Sequence, residues 1–560
     1  MKKQLIEKNS KMNAVLVGIA GSNSAFSLSL YNLKAYAYRN VNIKKSWSIS
    51  VIQHPLINFG EKNNQEKLSL LLDKIVSQKP DLVGFSCYMW NIDCFYKLAE
   101  EVKKISPKTK ILLGGPEIAT EYVKSSHFDK YAIDYCVSGE GELTFLELLQ
   151  FLKKGKPTIL NIDGLSHRPN RNMPFTVNSK RKPFKSLSEI PSPFLNNIVD
   201  AEVLERNGIE ANLETQRGCN LRCSYCIYHK DMDRVAYSEV QRIIDEVRYV
   251  TDRDVKKIRF VDANFSSNIN HAKVVMKALI REKFKVSLFF ELIPGFIDEE
   301  LAGLFGEYQK IHPENQITVG VGVQTINLKV LKLMRRAIRK EKFEKTFKLL
   351  QKHNIYTKID LIIGLPDEEI SSIEETMEYM VDQLRGSRAH LLCCHVMRGL
   401  PGTELMEIAK RKKMVFSSRH EPHELIESPT LPRADMLKAL RRTGVLFRLI
   451  NHIGWADREF ILGRTSEKTN IRDLFFSTKD HLSVSNVKLI DLIIEKLIEH
   501  LKPIKSWFSM PDFPYAETWW WVHSPREISN EWLIKCLSDL MKNTFIPKKI
   551  SVLKSSKSLQ

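Results

Sequence analysis

Cysteine is scarce, nine in 560 residues, and the N-terminal stretch MKKQLIEKNSKMNAVLVGIAGSN is broken by Gly18 and by polar residues before it could form the apolar core of an export signal. A disulfide framework is therefore excluded, and reduced thiols in a cytoplasmic protein are expected. No apolar run reaches about 18 residues, so no membrane-spanning helix and no membrane partner are expected. Glycine (24) and proline (22) are too few for a collagen-like or low-complexity chain, and 43% hydrophobic residues can fill large cores. Also missing is G-x-G-x-x-G after the first apolar run. The residues there, Gly18-Ile19-Ala20-Gly21-Ser22-Asn23, exclude the dinucleotide fingerprint. At about 100 to 200 residues per domain, the length predicts three or four folding units.

Charge is present in excess of one sign: 85 Lys and Arg against 66 Asp and Glu, a net +19. Much of it gathers in residues 151–190, with nine basic side chains and two acidic ones. That stretch is rich in Pro and Asn and reads as an interdomain connector whose charge is solvated. No aromatic residues interleave at regular spacing, so nucleic acid is not an expected partner.

From residue 12 to 156, short apolar runs alternate with helical patterns, which predicts a parallel sheet with crossover helices. The strands expected are Asn13 to Gly18, Ser48 to Ile52, Asp81 to Ser86, Lys110 to Leu113 and Tyr135 to Val137. In a doubly wound sheet of this kind, ligands bind beyond the carboxyl ends of the strands. The candidate binding residues are therefore Ser86, Tyr88 and Trp90 after the third strand, Gly114, Gly115 and Glu117 after the fourth, and Ser138, Gly139, Glu140 and Gly141 after the fifth. The glycines let a flat or extended ligand approach the backbone. From composition alone, that ligand is only of nucleotide size.

Cys219, Cys223 and Cys226 stand at i, i+4 and i+7, with Tyr225 directly before the last. Three thiolates on one loop can hold three irons of a cubane cluster and leave the fourth open to a chelating ligand. A zinc site would want a fourth ligand, for which His229 is near enough. Around the triad the alternation of strand and helix resumes. Strands are expected at Ala211 to Thr215, Lys257 to Val261, Val286 to Phe290, Ile317 to Val323, Thr357 to Gly364 and Ala389 to His395, and Ser238 with Gln241 suggests a capping box. Six such βα units are expected, and in a barrel built of such units the site gathers at the carboxyl ends of the strands.

Together, CxxxCxxC, the GGPE at residues 114–117 and the later DYCVSGEGELTFLELL resemble the cobalamin-binding radical SAM enzyme family. The resemblance implies an α/β chain with an N-terminal doubly wound Rossmann-like cobalamin-binding domain (12–156), a basic linker (157–205), a partial (β/α)6 radical SAM core (206–430) and a mainly helical C-terminal domain (431–560). It implies three cofactors: a four-iron four-sulfur cluster on the three cysteines, S-adenosyl-L-methionine (SAM) and cobalamin, with Ser86 to Trp90 under the corrin and the GGPE and SGEGE segments along its nucleotide tail. The cobalamin mutases' Asp-x-His-x-x-Gly is missing, so no histidine ligand is implied. For SAM, Asp262 and Asn264 fall where the amino group is contacted, Glu291 and Gln324 where polar contacts lie, and Gly364 with Pro366 where adenine packs; Arg336 matches a recurring arginine. Where relatives read E-x-G-x-Q-S, this chain has Gly320 in place of the carboxylate.

The implied activity is methyl transfer to an unactivated carbon or phosphorus of a small molecule or peptide, with flavodoxin or ferredoxin as electron donor. Rearrangement without methyl transfer, tRNA methylthiolation and a non-catalytic sensor are the alternatives. Trp519-Trp520-Trp521 reads as core packing or as a lid over the barrel mouth.

Overall fold

The computed structural model describes residues 11–20, 26–54, 64–199, 201–205, 210–228, 232, 234–384, 390–417, 423–451, 485–500, 535–536 and 538–540. The Trp519-Trp520-Trp521 triplet, His229 and most of the C-terminal domain expected over residues 431–560 lie outside them.

The front sheet contains β1 (Met12–Ile19), β2 (Trp47–His54), β3 (Leu82–Ser86), β4 (Lys110–Gly114), β5 (Tyr135–Val137), β6 (Leu165–His167) and β7 (Thr176–Val177), in the order β2-β1-β3-β4-β5-β6-β7. The first five are parallel, as their crossover helices require, while β6 and β7 are antiparallel. Strands β3 and β5 are buried along their whole length, so both faces are covered and the sequence shows apolar runs instead of alternation.

β6 and β7 correct the reading of residues 157–205 as a connector with solvated charge, because the segment extends the front sheet. Arg168 is only 3% exposed, and its guanidinium donates to the carbonyls of Ile133, Asp129 and Arg171 at 2.8 to 3.1 Å. Arg171 pairs with Glu100, and Arg181 with Glu147. Three of the nine basic residues expected to face water are thus spent on fixing the chain.

The second sheet is all parallel, in the order β15-β14-β13-β12-β11-β8. Its strands are β8 (Glu210–Leu213), β11 (Lys257–Phe260), β12 (Ser287–Leu292), β13 (Ile317–Gln324), β14 (Tyr356–Ile363) and β15 (His390–Val396). β8 and β15 are both edge strands, which makes this an open, partial barrel of six strands. Two short strands, β9 (Gln216–Arg217) and β10 (Ala236–Tyr237), form an antiparallel pair beside it. That pairing defeats the expected capping box. The amide of Ser238 donates to the Thr215 carbonyl at 2.8 Å, and the next helix, Val240–Thr251, takes Glu239 as its N-cap with no side-chain cap. Two further strands, β16 (Val415–Phe416) and β17 (Leu425–Glu427), form an antiparallel pair after the core.

The barrel core and the front domain share one apolar cluster, in which Phe26, Leu28 and Tyr31 join Phe194, Leu213 and Val247. Beyond the core, the helices Arg433–Asn451 and Asn486–His500 pack on the barrel. Buried Arg442 donates to Asp491 at 2.7 and 2.6 Å and to Glu374.

Candidate active site

The carboxyl ends of both sheets carry the candidate residues. In the front domain, Asn91 organises the loop after β3: its Nδ2 donates to the carbonyls of Ile19 and Ser86 at 3.1 Å, while its Oδ1 accepts from the Tyr88 amide at 2.8 Å. Tyr88 and Trp90 stack with centroids 4.5 Å apart, 13° from parallel, and the Trp90 indole donates to Ile19. Gly115 has φ +106°, and a Cβ there would come within 2.6 Å of the Cys87 carbonyl oxygen. The loops after β3 and β4 are therefore in backbone contact, which only glycine permits. After β5, Ser138 Oγ is buried with no hydrogen-bond partner. An orphaned hydroxyl between glycine-rich turns suits the polar tail of a ligand such as cobalamin. Glu140, expected in the same slot, instead turns toward the barrel and pairs with Arg217 at 3.0 Å. Glu117 is buried, with His423 Nε2 3.8 Å away.

In the barrel, the loop after β8 carries the cysteines. Gly218 has φ +97°, and a Cβ would meet the Arg234 carbonyl at 2.7 Å. Ser224 fixes the loop from both sides, its amide donating to the Met334 carbonyl at 3.1 Å and its carbonyl accepting from Leu405 at 2.8 Å. Cys219 and Cys223 are buried and Cys226 is half-buried; all three are free thiols. Burial raises the Cys219 thiol and pushes that of Cys226 up to about 11, so iron binding there must displace protons. Buried Arg336 lies against the triad, its Nη1 donating to Cys223 Sγ at 3.6 Å and its Nη2 to the Gly322 carbonyl at 2.5 Å. A cation beside clustered sulfurs fits an anionic thiolate cluster. Among the described residues, no three His, Cys, Asp or Glu side chains converge on a point for one metal ion; a cubane spreads its thiolates over separate irons.

The lumen face of the sheet is polar. On β14, partly buried Lys358, Asp360 and Ile362 alternate with fully buried neighbours. Register aligns Glu291 with Gly320 and Gly320 with Lys358, and a Cβ on Gly320 would fall 2.2 Å from Glu291 Oε2. The Glu291 carboxylate thus occupies the space above the glycine that stands where a carboxylate was missed. Burial raises the Glu291 carboxyl, and Lys358 opposes the rise. Asp360 accepts from Lys358 at 2.8 Å and from His395 at 2.9 Å. These two partners outweigh burial and hold it below the ordinary carboxylate range. Gln324 ends β13 at a bulge with φ +70°, a conformation that re-aims its side chain.

Asp262 and Asn264 sit behind this face. Both Asp262 oxygens are engaged: Oδ1 accepts from the Thr215 and Gln216 amides at 2.9 and 3.1 Å, and Oδ2 from the Thr215 hydroxyl at 2.5 Å. Asn264 Oδ1 accepts from the Ile293 amide at 3.2 Å. The two residues join the loop before the triad to the barrel wall. Gly364, with φ +89°, and Leu365 donate their amides to Glu368 Oε2 at 3.0 and 3.2 Å, and Pro366 follows in the same turn. Burial pushes the Glu368 carboxyl up to about 7. Sequence reasoning missed Glu368, Lys358, Asp360 and His395. The alternation of KIDLII, charged residues where a buried strand should be apolar, was the available signal.

Two family models match the chain in succession: a B12 binding domain over residues 62–149 and the radical SAM superfamily over residues 213–380. The chain thus carries, in order, the two domains of the cobalamin-binding radical SAM enzymes. Its cofactors are accordingly an iron–sulfur cluster, SAM and cobalamin. It is 28% identical over 306 residues, 53% of its own length, to the cobalamin-dependent radical SAM methyltransferase TokK of Streptomyces tokunonensis. It is 26% identical over 305 residues to a 2-(S-pantetheinyl)-carbapenam-3-carboxylate methyltransferase of Streptantibioticus cattleyicolor. The chain spans only 44% of the length of each of these relatives. In fold it is similar to the cobalamin-dependent SAM radical enzyme OxsB, with a TM-score of 0.63 at 14% identity over 97% of this chain and 82% of that one. No helix among the described residues is long and apolar enough to cross a membrane.

Proposed function

We propose that this radical SAM enzyme is a methyltransferase that acts on an unactivated carbon or phosphorus of a small molecule or peptide. When bound, the reduced cluster with SAM supplies a 5′-deoxyadenosyl radical, and cobalamin supplies the methyl group. Cys219, Cys223 and Cys226 hold the cluster, with Arg336 offsetting its charge. Glu291 and Gln324 hold SAM from the lumen, and the Gly364–Pro366 turn packs on its adenine. Asp262 and Asn264 brace that seat from behind. Ser86, Tyr88, Trp90, Gly114, Gly115, Glu117, Ser138, Gly139 and Gly141 form the cobalamin seat, with Glu140 anchoring its last loop.

The observation that carries the reading is the direct contact between the two sets of strand ends. Met89, in the loop after β3, lies 3.6 Å from the Arg398 guanidinium beyond β15; Glu117 faces His423; and Glu140 is bonded to Arg217. Seats held face to face bring a methyl donor and a substrate carbon within reach and exclude water. Their electrons come from a small donor of the flavodoxin or ferredoxin kind. Turnover is expected to yield both S-adenosylhomocysteine and 5′-deoxyadenosine, and cobalamin-free protein to make no methylated product. Full product formation without cobalamin would overturn the reading in favour of a structural front domain.

A further inference from the structure

Arg217 stands two residues before Cys219, and its guanidinium spans the boundary between the domains. On the barrel side it grips Glu214 with two parallel bonds, Nη2 to Oε2 at 2.8 Å and Nε to Oε1 at 3.1 Å. On the front-domain side, Nη1 donates to Glu140 Oε1 at 3.0 Å and to Glu142 Oε1 at 2.9 Å. The carboxylates are themselves held, since Glu140 Oε2 accepts from the Phe184 amide at 2.6 Å and Asn32 donates to Glu214 at 3.4 Å. The side chains of Glu140 and Glu142 are 8% and 6% exposed. One cation therefore serves three carboxylates, two of them buried and Glu214 21% exposed, outside the fully exposed regime in which an ion pair contributes little.

We infer that Arg217 is a positioning residue that sets the spacing between the two cofactor seats. The inference rests on the proposed function only in taking the Ser138–Gly141 loop and the Cys219 loop as those seats. Glu140 lies between Gly139, with φ +84°, and Gly141. That turn has little side-chain packing of its own to fix it, and the clamp on Glu140 supplies the constraint. At its other end the clamp acts on the backbone that enters the cysteine loop. The planar guanidinium fork makes four bonds in fixed directions, which a lysine ammonium cannot reproduce although it carries the same charge. Arg217→Lys therefore separates charge compensation, which it keeps, from positioning, which it loses.

The test uses full-length protein, reconstituted anaerobically with iron and sulfide and loaded with cob(II)alamin. Iron and cobalt contents are measured, and pulsed electron paramagnetic resonance reads the magnetic interaction between Co(II) and the reduced cluster. Arg217→Lys should keep both cofactors within about twofold of wild type while its cobalt–cluster distance distribution shifts or broadens. Glu140→Gln should show the same effect more weakly. Arg442→Lys, which alters a buried ion pair remote from both seats, should leave the distribution unchanged. A wild-type distribution in a fully loaded Arg217→Lys protein would overturn the inference alone. If Arg217→Lys fails to load, Glu140→Gln decides, and an unchanged distribution there overturns it equally. Wild-type protein that takes up only one of the two cofactors would instead overturn the proposed function, and this inference with it.

Discussion

Replacing Asp262 by Asn should reverse its effect on stability between acid and alkaline pH. Asp262 is 2% exposed, and burial pushes its carboxyl from 3.8 up to about 7 despite three hydrogen bonds that favour the charged form. A carboxyl raised on folding binds its proton more tightly in the native state. Its contribution is therefore complete below about pH 4 and is lost as pH rises toward about 7. At 1.36 kcal/mol per pH unit, the loss across that interval is roughly 4 kcal/mol. Asparagine retains an acceptor for the Thr215 and Gln216 amides and turns its amide toward the Thr215 hydroxyl, which can then accept. The substitution should cost about 1 kcal/mol at pH 5 and become stabilising at pH 8, where wild type carries a buried charge. Urea unfolding of apo protein at both pH values measures the difference between variants, in which every other titrating group cancels. A wild-type advantage of equal size at pH 5 and pH 8 would refute the reasoning.

Changing Cys219, Cys223 and Cys226 together to Ala should abolish cluster-bound iron after anaerobic reconstitution and all SAM cleavage, and an unchanged iron content would show that the cluster is held elsewhere. Gly320→Ala should force the Glu291 carboxylate aside and weaken SAM binding about tenfold in equilibrium dialysis, an overpacking cost of about 1 to 3 kcal/mol; unaltered affinity would disconnect Glu291 from the SAM seat. Arg442→Ala should strand Asp491 and Glu374 and lower stability by about 3 kcal/mol, while the variant's iron loading per folded molecule stays at the wild-type level.

The parallel strands of both sheets were legible because buried crossover strands write themselves as apolar runs between helical patterns, and each expected strand lies within about two residues of an observed one. The cysteine loop was legible from spacing alone. Residues 157–205 were misread because six basic side chains look solvated when read singly, yet Arg168 satisfies buried carbonyls that no composition reveals. The Ser238 capping box failed for a related reason, since a two-residue pairing with β9 took its backbone. The carboxylate over Gly320 was invisible in sequence. It comes from the neighbouring strand, and only the register that aligns Glu291 with Gly320 discloses it.

The charged row across β12 to β15 carries a last consequence. Glu291, Lys358, Asp360 and His395 occupy positions where a barrel interior would ordinarily be apolar, with Lys358 and Asp360 only 18% and 14% exposed. Desolvating such charges costs several kcal/mol per ion, and their mutual attraction rarely returns more than it costs. The row is therefore a poor device for stability and a good one for a ligand that carries both signs of charge, as the amino and carboxylate groups of SAM do. Removing only the cation should be expensive: Lys358→Met leaves two carboxylates facing each other and should cost about 3 to 5 kcal/mol. Replacing Glu291, Lys358 and Asp360 together by Leu, Met and Leu should leave the apo protein as stable as wild type or up to about 4 kcal/mol more so, while SAM binding is lost. Urea unfolding with equilibrium dialysis of SAM on the same preparations distinguishes the cases. A triple variant less stable than Lys358→Met would mean that the row holds the barrel together, and its assignment to ligand binding would fall.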